Sequence, residues 1–182
     1  EADRAWHAGA SSWHGETDMN SRSVGIEIVN PGHILGYEDF PDRQIEAVIG
    51  LCRGVALRQN VSPERVLAHS DIASARKADP GEKFPWYRLA ASGIGHFVEP
   101  LPVREGRVLM QGSAGDAVEK LQSMLALYGY GVEISGTFDD MTRLAVVAFQ
   151  RHFRPALVDG VADESTMETL HALLAKLVKN GV

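Results

Sequence analysis

"VLAHSDIASARKADPG", residues 66–81, sets an apolar run before a turn-rich loop, and the loop gathers an unusual set of side chains. Val66, Leu67 and Ala68 deliver His69, then Asp71, Arg76, Lys77 and Asp79 follow, and Pro80-Gly81 closes the segment. Imidazole and carboxylate are both good zinc ligands, and the end of a strand followed by a rigid Asp-Pro-Gly turn can hold them convergent. Two ligands fall short of the three that a catalytic zinc usually takes from protein. Read alone, the segment also fits a buried or surface histidine with incidental charges nearby.

Upstream, "SVGIEIV" (23–29) alternates, with Val24, Ile26 and Ile28 on one face and Gly25, Glu27 and Val29 on the other. That period predicts a half-buried strand with a carboxylate on its second face. "NPGH" (30–33) reads as a turn, and residues 1–22 show no period and read as loop. From Pro41 the spacing Ile45, Val48, Ile49, Cys52, Val55, Ala56 is one face of an amphipathic helix, expected to start near Pro41-Asp42 and end at Asn60. Ser62-Pro63-Glu64 can open one further short turn.

Downstream, "VEPLPVREG" (98–106) sets two prolines amid charge and reads as a boundary between residues 1–99 and 100–182. Beyond it, "SGTFDDMT" (135–142) and "DGVADEST" (159–166) form a half-repeat that pairs Gly136 with Gly160, Asp139 with Asp163 and Thr142 with Thr166. Each copy reads as a glycine turn followed by an aspartate N-cap. Three apolar stripes result: Val118, Leu121, Gln122 and Leu125; Val146, Phe149 and Phe153; and Met167, Leu170, Leu174, Leu177 and Val178. One-sided stripes must pack on each other, so a small three-helix bundle is expected.

The chain has 182 residues, 45% of them hydrophobic and 23% charged, which is the balance of an ordinary globular protein. A net charge of −6 excludes the basic footprint of a general nucleic-acid binder. No apolar run approaches the roughly 18 residues needed to span a bilayer. A single cysteine, Cys52, forbids an intrachain disulfide. The first residue is not Met and no signal peptide is visible, so the N-terminus is expected to be a processing boundary.

The loop resembles the zinc-ligand segment of the AmpD/AmiD-type N-acetylmuramoyl-L-alanine amidases, whose fold is shared with peptidoglycan-recognition proteins. "RAWHAG" (4–9) and "NSRSVGIEIVNPG" (20–32) are similar to two further segments of that family, in the same order. "GDAVEKLQSMLALYGY" (115–130) with "GTFDDMTRLAVVAFQ" (136–150) resembles the peptidoglycan-binding domain often fused behind such enzymes. The resemblance implies an α/β catalytic domain, a mixed sheet flanked by helices, followed by the three-helix bundle. It implies a Zn2+ cofactor with His69 and Asp79 as two of three ligands. It makes Glu27 the acid that activates water, Lys77 the cation facing the oxyanion, and Trp6 and His7 part of the substrate groove.

Amide hydrolysis at neutral pH needs such parts: an acidified water, a base within reach of it, and positive charge where the oxyanion forms. The implied activity is cleavage between N-acetylmuramic acid and L-alanine, with peptidoglycan or muropeptides as partners and a periplasmic or secreted location. Two departures stand out. Ser74-Ala75 replaces a common Pro-Gly, which removes no ligand. The family's first zinc ligand lies on an early strand ahead of the "AWHAG" segment, and His7, His14 and His33 do not match it. The catalytic domain is therefore expected to be N-terminally incomplete, with an upstream segment of the same protein as a partner. A non-catalytic peptidoglycan-recognition protein is the alternative.

Several residues stay open at this level. Cys52 lies on an apolar stripe and reads as a buried small hydrophobe. Trp13 and His14 fit a groove or a loop anchor equally, and Trp86 reads as a packing anchor closing the first domain. Tyr128 and Tyr130 could stack on sugar or pack at a helix end. Arg76 suggests a structural ion pair, and His152 and His171 carry no partner spacing.

Overall fold

Residues 1 and 3–179 are described in a computed structural model, so only positions 180–182 of the C-terminal assignment, with residue 2, fall outside it. Among the described residues seven α-helices follow in order: α1 (Met19–Arg22), α2 (Asp42–Gln59), α3 (His69–Ile72), α4 (Trp86–Ala91), α5 (Asp116–Tyr128), α6 (Asp140–Phe153) and α7 (Glu164–Lys179). α2 obeys its period, burying Ile45, Val48 and Val55. It stops where Asn60 turns left-handed at φ 51°, a conformation that asparagine adopts more readily than most residues. Ser62-Pro63 opens the single 3-10 turn expected of it, Pro63–Arg65.

The expected mixed sheet is not found. Among the described residues the only sheet-like pairings are three isolated bridges, Trp13–Glu16, Leu109–Ala162 and Ala114–Thr137. Residues 23–29 keep the period of a strand, since Ile26 and Ile28 are half-buried between exposed Gly25, Glu27 and Val29. No described segment runs beside them to complete a ladder, and pairing is what turns an extended segment into a strand. Val24 also departs from its assigned face, being 39% exposed. Val66–Ala68 likewise forms no strand, and His69 opens the short helix α3 instead.

The C-terminal bundle repays its half-repeat in detail. Asp139 Oδ1 accepts from the Thr142 amide and hydroxyl, both at 2.8 Å. Asp163 Oδ1 does the same for Thr166 at 2.7 and 2.6 Å. Each turn is also read by a buried glutamine. Gln122 Oε1 accepts from the amides of Ser135 and Gly136, and Gln150 Oε1 from those of Asp159 and Gly160. Val178 leaves the third stripe, 76% exposed, while Leu173 is buried in its stead.

Two clusters of buried residues form the core. One gathers Phe40, Ile45, Val48, Ala68, Phe84, Trp86, Leu89 and Ile94 around α2 and α4. The other is the bundle interior, and it also takes in Ala8 and Trp13 from the N-terminal loop and Met19 from α1. Trp13 is 2% exposed and sets its ring edge-on to Tyr128 and Tyr130 at centroid distances of 6.0 and 5.0 Å. Gly129 allows this approach, because a Cβ there would overlap the Trp13 ring. Trp13 is thus an anchor, and Tyr128 and Tyr130 are packing residues.

Candidate active site

The loop of residues 69–81 is tied across its base. The Ser70 amide donates to the Asp79 carbonyl at 3.0 Å, the Ala73 amide to the His69 carbonyl at 3.0 Å, and the Lys77 amide to the Ala73 carbonyl at 2.9 Å. Tyr37 closes the far end, its hydroxyl donating to the Pro80 carbonyl at 2.8 Å. Gly81, at φ +88°, is buried beneath that hydroxyl, where a Cβ would collide with it.

These ties bring the His69 and Asp79 side chains together, with Nδ1 3.0 Å from Oδ2. The other ring nitrogen, Nε2, lies 3.1 Å from the Ala8 carbonyl oxygen. A carbonyl can only accept, so Nε2 carries a proton, and Nδ1 either donates a proton of its own to Asp79 or, without one, presents it a lone pair. In the second case two acceptors face each other, and a cation can take the place of the proton between them. This is the arrangement of a metal-ligating histidine whose second nitrogen is fixed by a backbone carbonyl. Arg76, expected in an ion pair, instead donates to the same Ala8 carbonyl at 2.7 Å and to that of Ala10 at 2.9 Å.

The nitrogen and oxygen donors therefore fit zinc. Asp79 is held below the ordinary carboxylate range, first by its hydrogen bond to His69, with the His69 and Lys77 charges adding to it. Lys77 is half-buried, and its charge is among those that hold Asp79 low. Among the described residues no third His, Cys, Asp or Glu joins them.

Other assigned residues stand apart from the pair. Glu27 is exposed on its extended segment, and it is not brought into a cluster with His69 and Asp79. Trp6 is 80% exposed, with the Arg4 guanidinium 5.2 Å from its ring centre. His7 is anchored, with Nε2 2.8 Å from Ser23 Oγ and Nδ1 2.9 Å from the Ala5 carbonyl. His33 bonds Glu82, and among the described residues neither it nor His14 joins the pair in a ligand cluster. Burial pushes the Cys52 thiol up, away from nucleophilic use.

Two features escape a reading of the sequence. The Ala8 carbonyl is a backbone acceptor and leaves no mark in residue identity. Asp71 is buried and bonded to His152 and Tyr130, far along the chain. The only available signal was the place of His152 on the buried stripe of α6, three residues after Phe149.

Comparison with known proteins places these features in a family. Residues 1–82 match the family model for N-acetylmuramoyl-L-alanine amidase, and residues 114–170 match that of a peptidoglycan binding domain. AmiD of Escherichia coli, an N-acetylmuramoyl-L-alanine amidase, is 40% identical over 97% of this chain, which spans 65% of that protein. Its solved complex with anhydro-N-acetylmuramic acid-L-Ala-D-γ-Glu-L-Lys superposes with a TM-score of 0.79, covering 70% of the solved chain. AmpDh3 of Pseudomonas aeruginosa, solved with an anhydromuramic pentapeptide, is 34% identical over 97% of this chain and 71% of its own, with a TM-score of 0.78. With the His69–Asp79 pair in the region matched by one model, a capped bundle in that matched by the other, and relatives this similar over nearly the whole chain, the chain belongs to the N-acetylmuramoyl-L-alanine amidase family.

Proposed function

We propose that the protein hydrolyses the amide between N-acetylmuramic acid and L-alanine in peptidoglycan or its fragments, with zinc held by His69 Nδ1 and Asp79 Oδ2. The observation that carries this is the pair itself, with Nδ1 3.0 Å from Oδ2 while the Ala8 carbonyl fixes the opposite ring nitrogen. Zinc supplies a Lewis acid, lowering the pKa of water to about 7 so that a nucleophile is available at neutral pH. Glu27, exposed and free of burial, takes the proton of the attacking water. Lys77, whose charge is already felt at Asp79, meets the developing oxyanion. Trp6 offers an exposed aromatic face to the substrate, beside the anchored His7.

The third ligand would come from a segment of the same protein outside these 182 residues, a reading supported by the greater length of the relatives. Residues 1–99 would then carry the chemistry and 100–182 would hold it on polymeric peptidoglycan in the cell envelope, raising local substrate concentration. Among the described residues no helix is long and apolar enough to cross a membrane.

The alternative, peptidoglycan recognition without hydrolysis, draws its support from the separation of Glu27 from the pair and from the two-ligand count. The deciding experiment measures zinc content and muropeptide hydrolysis together in the protein with the ligand-bearing upstream segment included. Glu27→Ala should keep zinc and lose about 10²–10⁴-fold in turnover, while His69→Ala should lose both. Zinc lost along with activity in Glu27→Ala would make Glu27 a ligand, and zinc binding without any wild-type turnover would favour the recognition protein.

A further inference from the structure

We propose that Tyr130 and His152, both outside the catalytic region, are positioning residues for the ligand turn and act on His69 through Asp71. The inference rests on the reading of His69 and Asp79 as zinc ligands.

Asp71 is 2% exposed, and a buried carboxylate demands donors. It has three. Tyr130 donates its hydroxyl to Oδ1 at 2.7 Å, His152 donates from Nδ1 to Oδ2 at 2.7 Å, and the Ala68 amide donates to Oδ2 at 2.7 Å. The last bond matters most for the site, because Ala68 is the residue that leads into His69. Asp71 thus reaches back to the start of α3 as the acid of a capping box does, and its own amide returns a bond to the Ala68 carbonyl at 3.1 Å. One residue on, the Ser70 amide holds the Asp79 carbonyl. The carboxylate thus fixes the backbone just before His69, and the turn it caps supplies the Ser70 amide that holds Asp79.

Two of its three donors come from the C-terminal part. Neither donor is free to drift. The His152 ring lies between Trp86 and Phe153, with both centroids 3.8 Å away, and Tyr130 packs edge-on to Trp13 at 5.0 Å. Loss of either donor leaves Asp71 buried and short of a partner, so the turn must shift or admit water to satisfy it. Ligand geometry tolerates little such movement, about 0.5 Å. The bundle is accordingly part of the apparatus that sets the metal site, in addition to any role as a tether.

The test compares Tyr130→Phe with Tyr128→Phe in the full 182-residue chain. Both remove one buried hydroxyl from the same bundle, but the Tyr128 hydroxyl serves His96 at 2.9 Å and not Asp71. His152→Phe gives a second removal that retains the stack. Zinc affinity is read by competition with a chromogenic chelator, and hydrogen exchange is read at the Ala68 and Ser70 amides.

Tyr130→Phe and His152→Phe should weaken zinc about tenfold or more, the usual cost of losing an outer partner of a ligand, and should speed exchange at both amides. Tyr128→Phe should do neither, even with a similar loss of thermal stability. Equal effects of Tyr130→Phe and Tyr128→Phe on both readouts would overturn the proposal, and Tyr130→Phe decides alone if His152→Phe fails to fold. If wild type binds zinc no better than His69→Ala, the zinc reading fails separately. The exchange arm then decides: selective loosening of Ala68 and Ser70 upholds the positioning role, and uniform loosening refutes it.

Discussion

His69 uses its two nitrogens for opposite tasks, one turned to Asp79 and the other to the Ala8 carbonyl. The first could be expected from the sequence, through the resemblance of the segment to a known ligand loop, although the residues alone also fitted a plain histidine with charges nearby. The second was not, since any residue at position 8 would present the same carbonyl. Asp71 shows the same limit, for its partners Tyr130 and His152 lie 59 and 81 positions away and no local spacing encodes them. A residue-level prediction follows at Gly81. Replacement by Ala puts a side chain at φ +88° and against the Tyr37 hydroxyl. The left-handed strain alone costs about 1–2 kcal/mol, and displacement of the Asp79-Pro80 segment should weaken zinc as well. Chemical denaturation and a zinc titration check the two effects. A variant with wild-type stability and affinity would show that the tight turn is irrelevant to the site.

Helices were the elements best read in advance, because a 3.6-residue period and a cap are both local. α2 ends at Asn60 as expected, and the paired Asp139 and Asp163 caps open α6 and α7. The strand over 23–29 failed for the complementary reason, as its period survives in alternating burial but the partner that completes a strand is not in its own sequence. The two caps are unequal despite their shared pattern. Asp139 is exposed, whereas Asp163 is buried and also takes a bond from the fully buried Arg154 at 3.1 Å. Asp139→Ala should cost about 0.5–2 kcal/mol, the range for a lost N-cap. Asp163→Ala should cost more, because it strands a buried guanidinium as well. Urea melts of both variants settle the order, and equal losses would mean that Arg154 finds another partner.

The whole molecule departs most from its sequence, since Trp13, Ala8 and Met19 complete the core of a bundle that begins a hundred residues later. Cleavage within residues 99–104 should therefore leave two pieces that elute together in gel filtration. Trp13→Ala, at a cost of about 3–5 kcal/mol, should let them separate; free separation of the wild-type pieces would make the bundle independent. The contact of His96 Nδ1 with the Tyr128 hydroxyl, at 2.9 Å, should make the junction of the two parts acid-sensitive. Burial first, then the charge of Lys176 and the nearness of His152, brings His96 down to about 4, while Glu64 pulls the other way. The unfolded chain takes up that proton near pH 6.5 and the folded chain does not. His96 thus contributes stability above about pH 6.5 that is lost as pH falls toward 4. Thermal melts of His96→Gln should show a shallower decline across that window than wild type, and parallel curves would refute it. All of these contacts converge on the claim that the folded chain presents His69 and Asp79 as zinc ligands. The most direct test is anomalous diffraction at the zinc edge from crystals grown with zinc. The predicted result is a peak about 2.0–2.2 Å from both His69 Nδ1 and Asp79 Oδ2, with Nε2 still on the Ala8 carbonyl. Zinc bound through Nε2, or at a place that touches neither residue, would contradict it.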